Sequence, residues 1–307
     1  MTINSALFDG MVVFCEVVES DGFASAARKL GHSPSHVSKE VARLEDRLGT
    51  RLLNRTTRTM SLTAVGQVYY EHARQIIQDA RETEHRILGV KNTPFGSLRI
   101  SAPVSFGLSH LADALPDFLE NNADVTLDME FNDRMVDVVA EGFDVVVRIG
   151  HLKDSSLIVR QIGTTRGLTV ASPKYWKAHG KPRHPRDLEG HTCITYSLAA
   201  NPSRWEYIGQ RGEPISVDMK SRVKCNSAEL ETVLAVRSVG VTRLPEFVCA
   251  RELLDGRLES VLEDFVGPSI GIYAVYPHRQ HLSPKVRAFI DFLVDEFGEN
   301  LEKADAG

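Results

Sequence analysis

Cysteine is scarce, with four residues in 307. Cys15, Cys193, Cys225 and Cys249 lie far apart and form no C-x-x-C pair. That argues against a disulfide framework or a short-spaced zinc site and fits reduced thiols in a cytoplasmic protein. Long apolar runs are missing as well. No stretch approaches the ~20 consecutive apolar residues that a membrane-spanning helix needs. The opening MTINSALFDG has neither the basic run nor the apolar core of a secretory signal. A cytoplasmic location without membrane attachment is expected. Common enzyme fingerprints are absent too: there is no G-x-S-x-G elbow, phosphate-cradling loop, G-x-G-x-x-G or H-E-x-x-H. His179, His184 and His191 share the loop AHGKPRHPRDLEGH, but their spacing fits no zinc pattern, and surface histidines in an exposed connection are expected. Catalysis, a bound metal and a cofactor are therefore not expected.

Nor does the chain as a whole carry an excess of positive charge. Lys and Arg number 36 against 41 Asp and Glu, a net of −5. The total conceals a local excess. Residues 22–62 hold Arg28, Lys29, Lys39, Arg43, Arg47, Arg51, Arg55 and Arg58 against Glu40, Glu45 and Asp46, a net of +5. A length of 307 residues accommodates about two domains at roughly 150 residues each. A basic N-terminal module on an acidic body suits a nucleic-acid reader joined to something else, although a solvated helical face gives the same charge pattern.

Apolar spacing resolves that module into three helices. Met11, Phe14 and Val18 mark the first, over about residues 5–19. Ser20-Asp21-Gly22 interrupts it, and Phe23, Ala27 and Leu30 mark a short second helix. Gly31 ends that helix, Ser33 N-caps the next and Pro34 suits its first turn. The third helix turns Val37, Val41, Leu44 and Leu48 inward and carries Ser35, Ser38, Lys39, Ala42 and Arg43 on the opposite face, with His36 at the edge. A helix-turn-helix with a polar, basic second helix fits the DNA major groove, N-terminal residues nearest the base edges. Ser33, Pro34, Ser35, His36, Ser38, Lys39 and Arg43 are thus candidate contacts to double-stranded DNA. LLNRTTRTMSLT then reads as two short strands around Arg55-Thr56-Thr57-Arg58. A hairpin tipped with arginine is a wing placed for phosphate or minor-groove contact, and Arg55, Thr57 and Arg58 join the candidates.

Across this module the chain closely resembles the LysR-type transcriptional regulators. The resemblance rests on Phe14, Val17, Glu19, Gly22-Phe23, Ala26-Ala27, Leu30, Ser33, Val37-Ser38, Leu44-Glu45, Leu48-Gly49, Leu52-Leu53, Arg55, Arg58, Leu62-Thr63 and Gly66 in that order. The family often has Gln and Pro after the serine and Arg after the second serine. Here Pro34, Ser35 and Lys39 stand there, and lysine is the weaker bidentate donor. Thr63 is placed to cap a long helix to about Leu88. Within it Tyr69, Ala73, Ile76, Ala80, Thr83 and Ile87 approach a heptad seam. Dimerisation through this helix is expected. The resemblance implies a homodimer or homotetramer and makes RNA polymerase a candidate partner. Lys91 to Gly96 form a turn-rich hinge.

From Ser97 onward short apolar strands alternate with helices: LRISAPV, a helix through Leu119, VTLDMEF, a helix near 134–141, and DVVVRIG. That order indicates an α/β domain with a largely parallel sheet. Strands near LIVRQ, LTVAS, CITY, WEYIG and VDMKSR follow, then a helix from about Ala228, the strand SIGIYAVYP and a helix over 284–297. The resemblance continues through Leu98-Arg99-Ile100, Gly142-Phe143-Asp144, Arg148-Ile149-Gly150, Ala171-Ser172-Pro173, Asn226, Gly240-Val241 and Leu244-Pro245. It implies a two-lobed effector domain of the periplasmic-binding-protein type. Ser238 departs from it, since many members have glycine there. The expected protein is an α+β multidomain chain: a winged helix-turn-helix (1–63), a linker helix (64–91), an effector domain (97–297) and a flexible tail (298–307). In the effector domain, lobe I takes about 97–171 and 268–297, and lobe II about 172–267.

Ligands of open α/β sheets bind beyond the C-terminal strand ends. Ser101, Ala102, Pro103, Val104 and Ser105 follow the first such strand, and Arg148 ends a neighbouring one. With Thr195, Tyr196 and Asn226 from the other lobe, they are the candidate contacts for a small, anionic effector. Ser101 and Ser105 would serve equally well as helix caps, and Arg148 as a partner of Asp144. Two other readings stay open. One is thiol redox sensing through Cys193 and Cys225 on the same architecture, and the other is an enzyme with a site hidden in the cleft.

Overall fold

The computed structural model describes residues 6–55, 60–87, 93–150, 157–265, 269–278 and 282–298. The chain divides into two compact units, one ending at Thr93 and grouped with Asp137–Gly142, the other made of the remaining residues from Pro94 on.

In the first unit, α1 (Met11–Glu19), α2 (Phe23–Leu30) and α3 (Pro34–Leu48) precede β1 (Leu53–Arg55), β2 (Met60–Leu62) and α4 (Ala64–Ile87). α1 begins later than its apolar spacing suggests. Gly10 takes a left-handed φ of 76°, and a Cβ there would meet Glu40 O at 3.0 Å, so the chain bends at this point and residues 6–10 are turns. Phe14, Val17, Ala26, Ala27, Val37, Val41, Leu44, Leu52, Leu53 and Ala73 form one buried core, which Tyr69, Tyr70 and Ile77 of α4 also join. Phe14 and Tyr69 meet edge to face at 5.5 Å. α4 therefore shares the core of this unit. Tyr69 and Ala73, two members of the anticipated seam, pack inside this unit. Ile76 is 43% exposed and lies on a stripe with the exposed Val65, Val68, Ala80 and Thr83. Leu48, expected inside, is 40% exposed because it sits in the last turn of α3, beyond the core.

The second unit begins with β3 (Gly96–Ala102), α5 (Val104–Phe106), a π-helical turn Gly107–Leu111, α6 (Ala112–Asn121), β4 (Val125–Phe131), β5 (Val145–Ile149) and β6 (Ile158–Thr165). Segment 134–141 is not helical: it is irregular to residue 137 and then runs in turns from residue 138. Asp137 Oδ1 accepts from the amides of Val139 and Ala140, and Glu141 Oε1 accepts from the amide of Asp137. These local side-chain bonds replace the helical ladder. β14 (Ile270–Tyr276) completes a sheet of order β4-β3-β5-β14-β6. β3 pairs in parallel with both neighbours, and β14 is antiparallel to β5 and β6. The core of this lobe includes Ile100, Phe106, Phe118, Val145, Ile272 and residues of α10 (Pro284–Phe297). A buried ion pair supports it: Lys285 Nζ lies 3.4 Å from Asp144 Oδ2, which also accepts from the amide of Arg99 at 3.0 Å.

The other lobe comprises β7 (Gly167–Ala171), α7 (Pro173–His179), β8 (Thr192–Tyr196), β9 (Arg204–Ile208), β10 (Pro214–Asp218), β11 (Lys220–Cys225), α8 (Ala228–Val236), β12 (Thr242–Pro245), α9 (Glu246–Leu254) and β13 (Glu259–Val261). VDMKSR is not one strand: Met219 separates β10, which pairs with β9, from β11, which pairs with β8. β12-β7-β13 forms a sheet, and reciprocal bonds between Val241 and the Thr192–Ile194 segment at 2.8 and 2.9 Å join it to β8. Ser238 holds a left-handed φ of 63°, and its hydroxyl bonds that of Ser172 at 2.7 Å. That side-chain bond fixes a turn where a glycine would be free of strain.

Candidate DNA interface and effector cleft

The turn between α2 and α3 is built by capping. Ser33 Oγ accepts from the amide of His36 at 3.2 Å, and Pro34 occupies the first turn. With Val37, Val41 and Leu44 turned inward, Ser33, Pro34, Ser35, His36, Lys39 and Arg43 are exposed, while Ser38 and Ala42 are partly covered. The candidate DNA contacts of α3 thus share one outer face. Arg43 is engaged there by Glu40 at 2.7 Å. His32, which the sequence reading left out, extends the face: its ring lies 4.7 Å from that of His36.

β1 and β2 form the expected hairpin, with Leu53 opposite Leu62 and Arg55 opposite Met60. Thr57, Arg58 and the side chain of Arg55 lie outside the described residues. The base of the hairpin is fixed from two sides. Glu45 Oε1 of α3 accepts from the amides of Leu52 and Leu53 at 2.9 and 3.0 Å. Thr63 Oγ1 caps α4 by accepting from the amide of Gly66 and donates to Arg51 O. A Cβ on Gly66 would stand 1.9 Å from Leu52 O, so only glycine permits this approach.

In the larger unit, β3 delivers the buried Ser101 and Ala102 to its C-terminal end, followed by Pro103, Val104 and the buried Ser105. Arg148 does not pair with Asp144, which Lys285 holds. Its Nη1 and Nη2 donate to the carbonyls of Arg134 and Val136 at 2.9 and 3.2 Å. The amide of Val104 donates to Asp133 Oδ1 at 3.3 Å. Burial, together with Glu229, pushes the Asp133 carboxyl up. From the second lobe, Tyr196 faces the same charges. Burial chiefly, then Asp133, Glu231 and Glu229, raises its phenol, while Arg148 pulls it back. Asp133 and Arg148 of one lobe therefore converge with Tyr196, Glu229 and Glu231 of the other. Thr195 does not join them. It is 1% exposed, bonds Ser221 Oγ at 2.8 Å and faces the strand pair, whereas Asn226 is exposed. The three acids escaped sequence reasoning. Asp133 follows a strand end and Glu229 sits in the first turn of α8, but nothing local relates them. Glu231 is buried, its carboxyl pushed up to about 8 by burial, with Thr242 beside it. Glu229 Oε1, Glu231 Oε1 and Asn132 Oδ1 are buried acceptors without a hydrogen-bond partner among the described residues.

The cysteines offer no activated thiol. Burial pushes Cys15, Cys193 and Cys249 up to about 12 and raises Cys225 as well. Cys193 stands opposite Ser221 and Cys225 opposite Tyr196. Their Cα atoms are thus about 10 Å apart along the strands alone, beyond the roughly 7 Å limit for a disulfide. The three loop histidines do not form a group either. His179 is exposed, His184 caps a short turn, and His191, expected at the surface, is 7% exposed and packs on Tyr175 and Trp176. Among the described residues no cluster of three or more metal-binding side chains occurs, and no helix is long and apolar enough to cross a membrane.

Known proteins match both units. Residues 8–67 fit the family described as the bacterial regulatory helix-turn-helix protein, lysR family, and residues 91–298 the LysR substrate binding domain. An uncharacterized HTH-type transcriptional regulator of Haemophilus influenzae is 37% identical over 275 residues, 89% of this chain and 95% of that one. The HTH-type transcriptional regulator CrgA of Neisseria meningitidis is 32% identical over 292 residues, 95% of this chain and 97% of that one. Among solved structures, that of CrgA from Neisseria meningitidis gives a TM-score of 0.60 at 30% identity, covering 97% of this chain and all of its own. Full-length AphB, the Vibrio cholerae virulence activator, gives 0.58 at 28% identity, covering 94% and 98%. The chain belongs to the LysR-type transcriptional regulators, with a DNA-binding helix-turn-helix and an effector-binding domain.

Proposed function

We propose that the chain reads a partly palindromic DNA site as a homodimer or a dimer of dimers, and that a small acid bound between the lobes adjusts this activity. The observation that carries the DNA reading is the single outer face of α3, where Ser33, Pro34, Ser35, His36 and Lys39 crowd the N-terminal end. In the major groove, Lys39, His36 and the serine hydroxyls reach bases or nearby phosphates, and Arg43 exchanges Glu40 for a phosphate. Arg55, Thr57 and Arg58 of the wing take the backbone or minor groove. Dimerisation uses the exposed stripe of α4 through Val65, Val68, Ile76, Ala80 and Thr83. The domain limits proposed for this activity are 1–63, 64–91 and 97–297.

For the effector, Arg148 supplies the positive charge, and Ser101 to Ser105 with Tyr196 supply hydroxyls and backbone around it. Asp133 and Glu229, with the buried acceptor atoms of Asn132, Glu229 and Glu231 that have no partner among the described residues, favour an acid that also carries hydroxyl or amino donors. A thiol redox sensor is disfavoured by the raised thiols and the strand register, and among the described residues no constellation of nucleophile and base supports an enzyme. The test is a thermal-shift screen of small organic acids, since a ligand of the folded state raises its stability by mass action. A hit should lose its effect in Arg148→Ala while operator binding without it is unchanged. A neutral hit indifferent to Arg148→Ala and Ser105→Ala would refute the acid site and leave the DNA reading standing.

A further inference from the structure

His110 lies on the π-helical turn Gly107–Leu111, between α5 and α6. Such turns put an extra residue into a helix and recur at functional sites. Its ring packs against three phenylalanines, with centroids 5.2 Å from Phe106, 5.0 Å from Phe247 and 5.7 Å from Phe297. Nε2 is buried and has no hydrogen-bond partner among the described residues. A neutral imidazole tolerates such a box. An imidazolium fits it less well, because its charge would sit beside three phenylalanines and its Nε2–H donor would be buried without a partner among the described residues. Burial accordingly pushes the His110 pKa below the ordinary histidine value.

The rings of the box belong to different parts of the domain. Phe106 and Phe297 are core residues of the first lobe, whereas Phe247 is the second residue of α9, which the chain enters directly from β12 of the other lobe. Phe247 packs into the first lobe's core and meets Phe106 edge to face at 6.3 Å. Beside it, Glu246 receives two bonds from Arg166, at 3.0 and 2.8 Å, and its amide donates to Arg166 O at 2.9 Å. Arg166 is the residue between β6 of one lobe and β7 of the other. The start of α9 is thus fastened both to the crossover between lobes and, through the His110 box, to the first lobe.

The charged groups on the elements around the box are already engaged or in solvent. Glu246 of α9 is held by Arg166 and Glu252 by Arg257, while Arg251 is exposed. Glu296 of α10 has an interaction of its own, and Asp295 is exposed. Asp113 of α6 is exposed, and Glu130 of β4, the strand whose Phe131 faces Gly107, pairs with Arg134 at 3.2 Å.

We propose that His110 is a proton-sensitive latch: neutral, it holds the start of α9 on the first lobe, and protonated, it expels Phe247 and lets the lobes shift about the Arg166 crossover. The latch stands whatever effector the cleft takes. The sign follows from linkage. The released state binds the proton more tightly than the latched one, so the latch is closed above the ordinary histidine range and opens as pH falls through it. Each unit of pKa difference between the two states shifts the equilibrium about tenfold.

Hydrogen exchange of the full chain without DNA, at pH 5.5 and 7.5 and corrected for intrinsic exchange rates, reads this directly. Amides of residues 246–254 should lose protection at the lower pH by up to about tenfold, because pH 5.5 lies about one unit below the ordinary histidine value, and His110→Phe, which fills the box without titrating, should keep protection at both. The same loss in His110→Phe, or no loss in the parent chain, overturns the latch. Should His110→Phe not fold, an NMR titration of the parent chain decides. The latch requires a His110 midpoint below the ordinary histidine value and a change in the Phe247 ring signals at that midpoint. An ordinary midpoint, or silent Phe247 signals, overturns it.

Discussion

Glu231 shows how one buried side chain sets a pH dependence. The folded chain keeps its proton up to about pH 8, while the unfolded chain releases it near the ordinary glutamate value. The contribution to folding is fully present below that ordinary value and is lost as pH rises through about 8. Glu231→Gln should therefore raise the melting temperature at pH 8.5 and flatten its decline between pH 6 and 9. Equal declines in both proteins would show that another group titrates. On the DNA side, Lys39→Ala should cost about 1–3 kcal/mol if Lys39 reads a base, whereas Arg43→Ala should lower the log–log salt slope by about 0.9 if Arg43 holds a phosphate. Operator titrations at several salt concentrations separate the two. The face of α3 was legible in the sequence because caps and helical spacing are local rules, and Ser33, Pro34 and Val37 obey them. Asp133, Glu229 and Glu231 were not, since they meet only through the packing of segments almost a hundred residues apart. The partner of Thr195 was hidden for the same reason: its hydroxyl finds Ser221 on a neighbouring strand.

At the scale of elements, the apolar pattern gave most strands and helices in order but missed α7, β12, α9 and β13, and other errors trace to particular bonds. Segment 134–141 has helical spacing, but Asp137 and Glu141 bond the backbone in turns. The stripe of α4 is shared between the N-terminal core, through Tyr69 and Ala73, and solvent, through Ile76. Two element junctions give predictions. Gly66→Ala forces a methyl group onto Leu52 O, and overpacking of this kind costs about 1–3 kcal/mol. Chemical denaturation of the full chain should show the N-terminal unit weakened. Lys285→Met leaves Asp144 charged and buried without its partner, a loss of about 3–5 kcal/mol. Adding Asp144→Asn should recover part of it. A single mutant as stable as the parent would show that the pair does not hold α10 to β3 and the Asp144 turn.

For the whole molecule, an acidic total beside a basic N-terminal module would limit binding to nucleic acid at random, with α3 as the proposed reading head. If α4 pairs as proposed, Ile76→Glu should halve the mass seen in sedimentation and weaken operator binding more than tenfold. The central claim is that the outer face of α3 reads DNA sequence in a paired assembly. Selection from a random duplex library with the full-length chain tests it most directly. The account predicts enrichment of a partly palindromic sequence whose half-sites are spaced by about one helical turn, 10–10.5 base pairs, or a multiple of it. It further predicts that Lys39→Ala relaxes the preference at one position of each half-site. Failure of any sequence to enrich, or an enriched sequence that Lys39→Ala, Ser35→Ala and His36→Ala all leave unchanged, would contradict it.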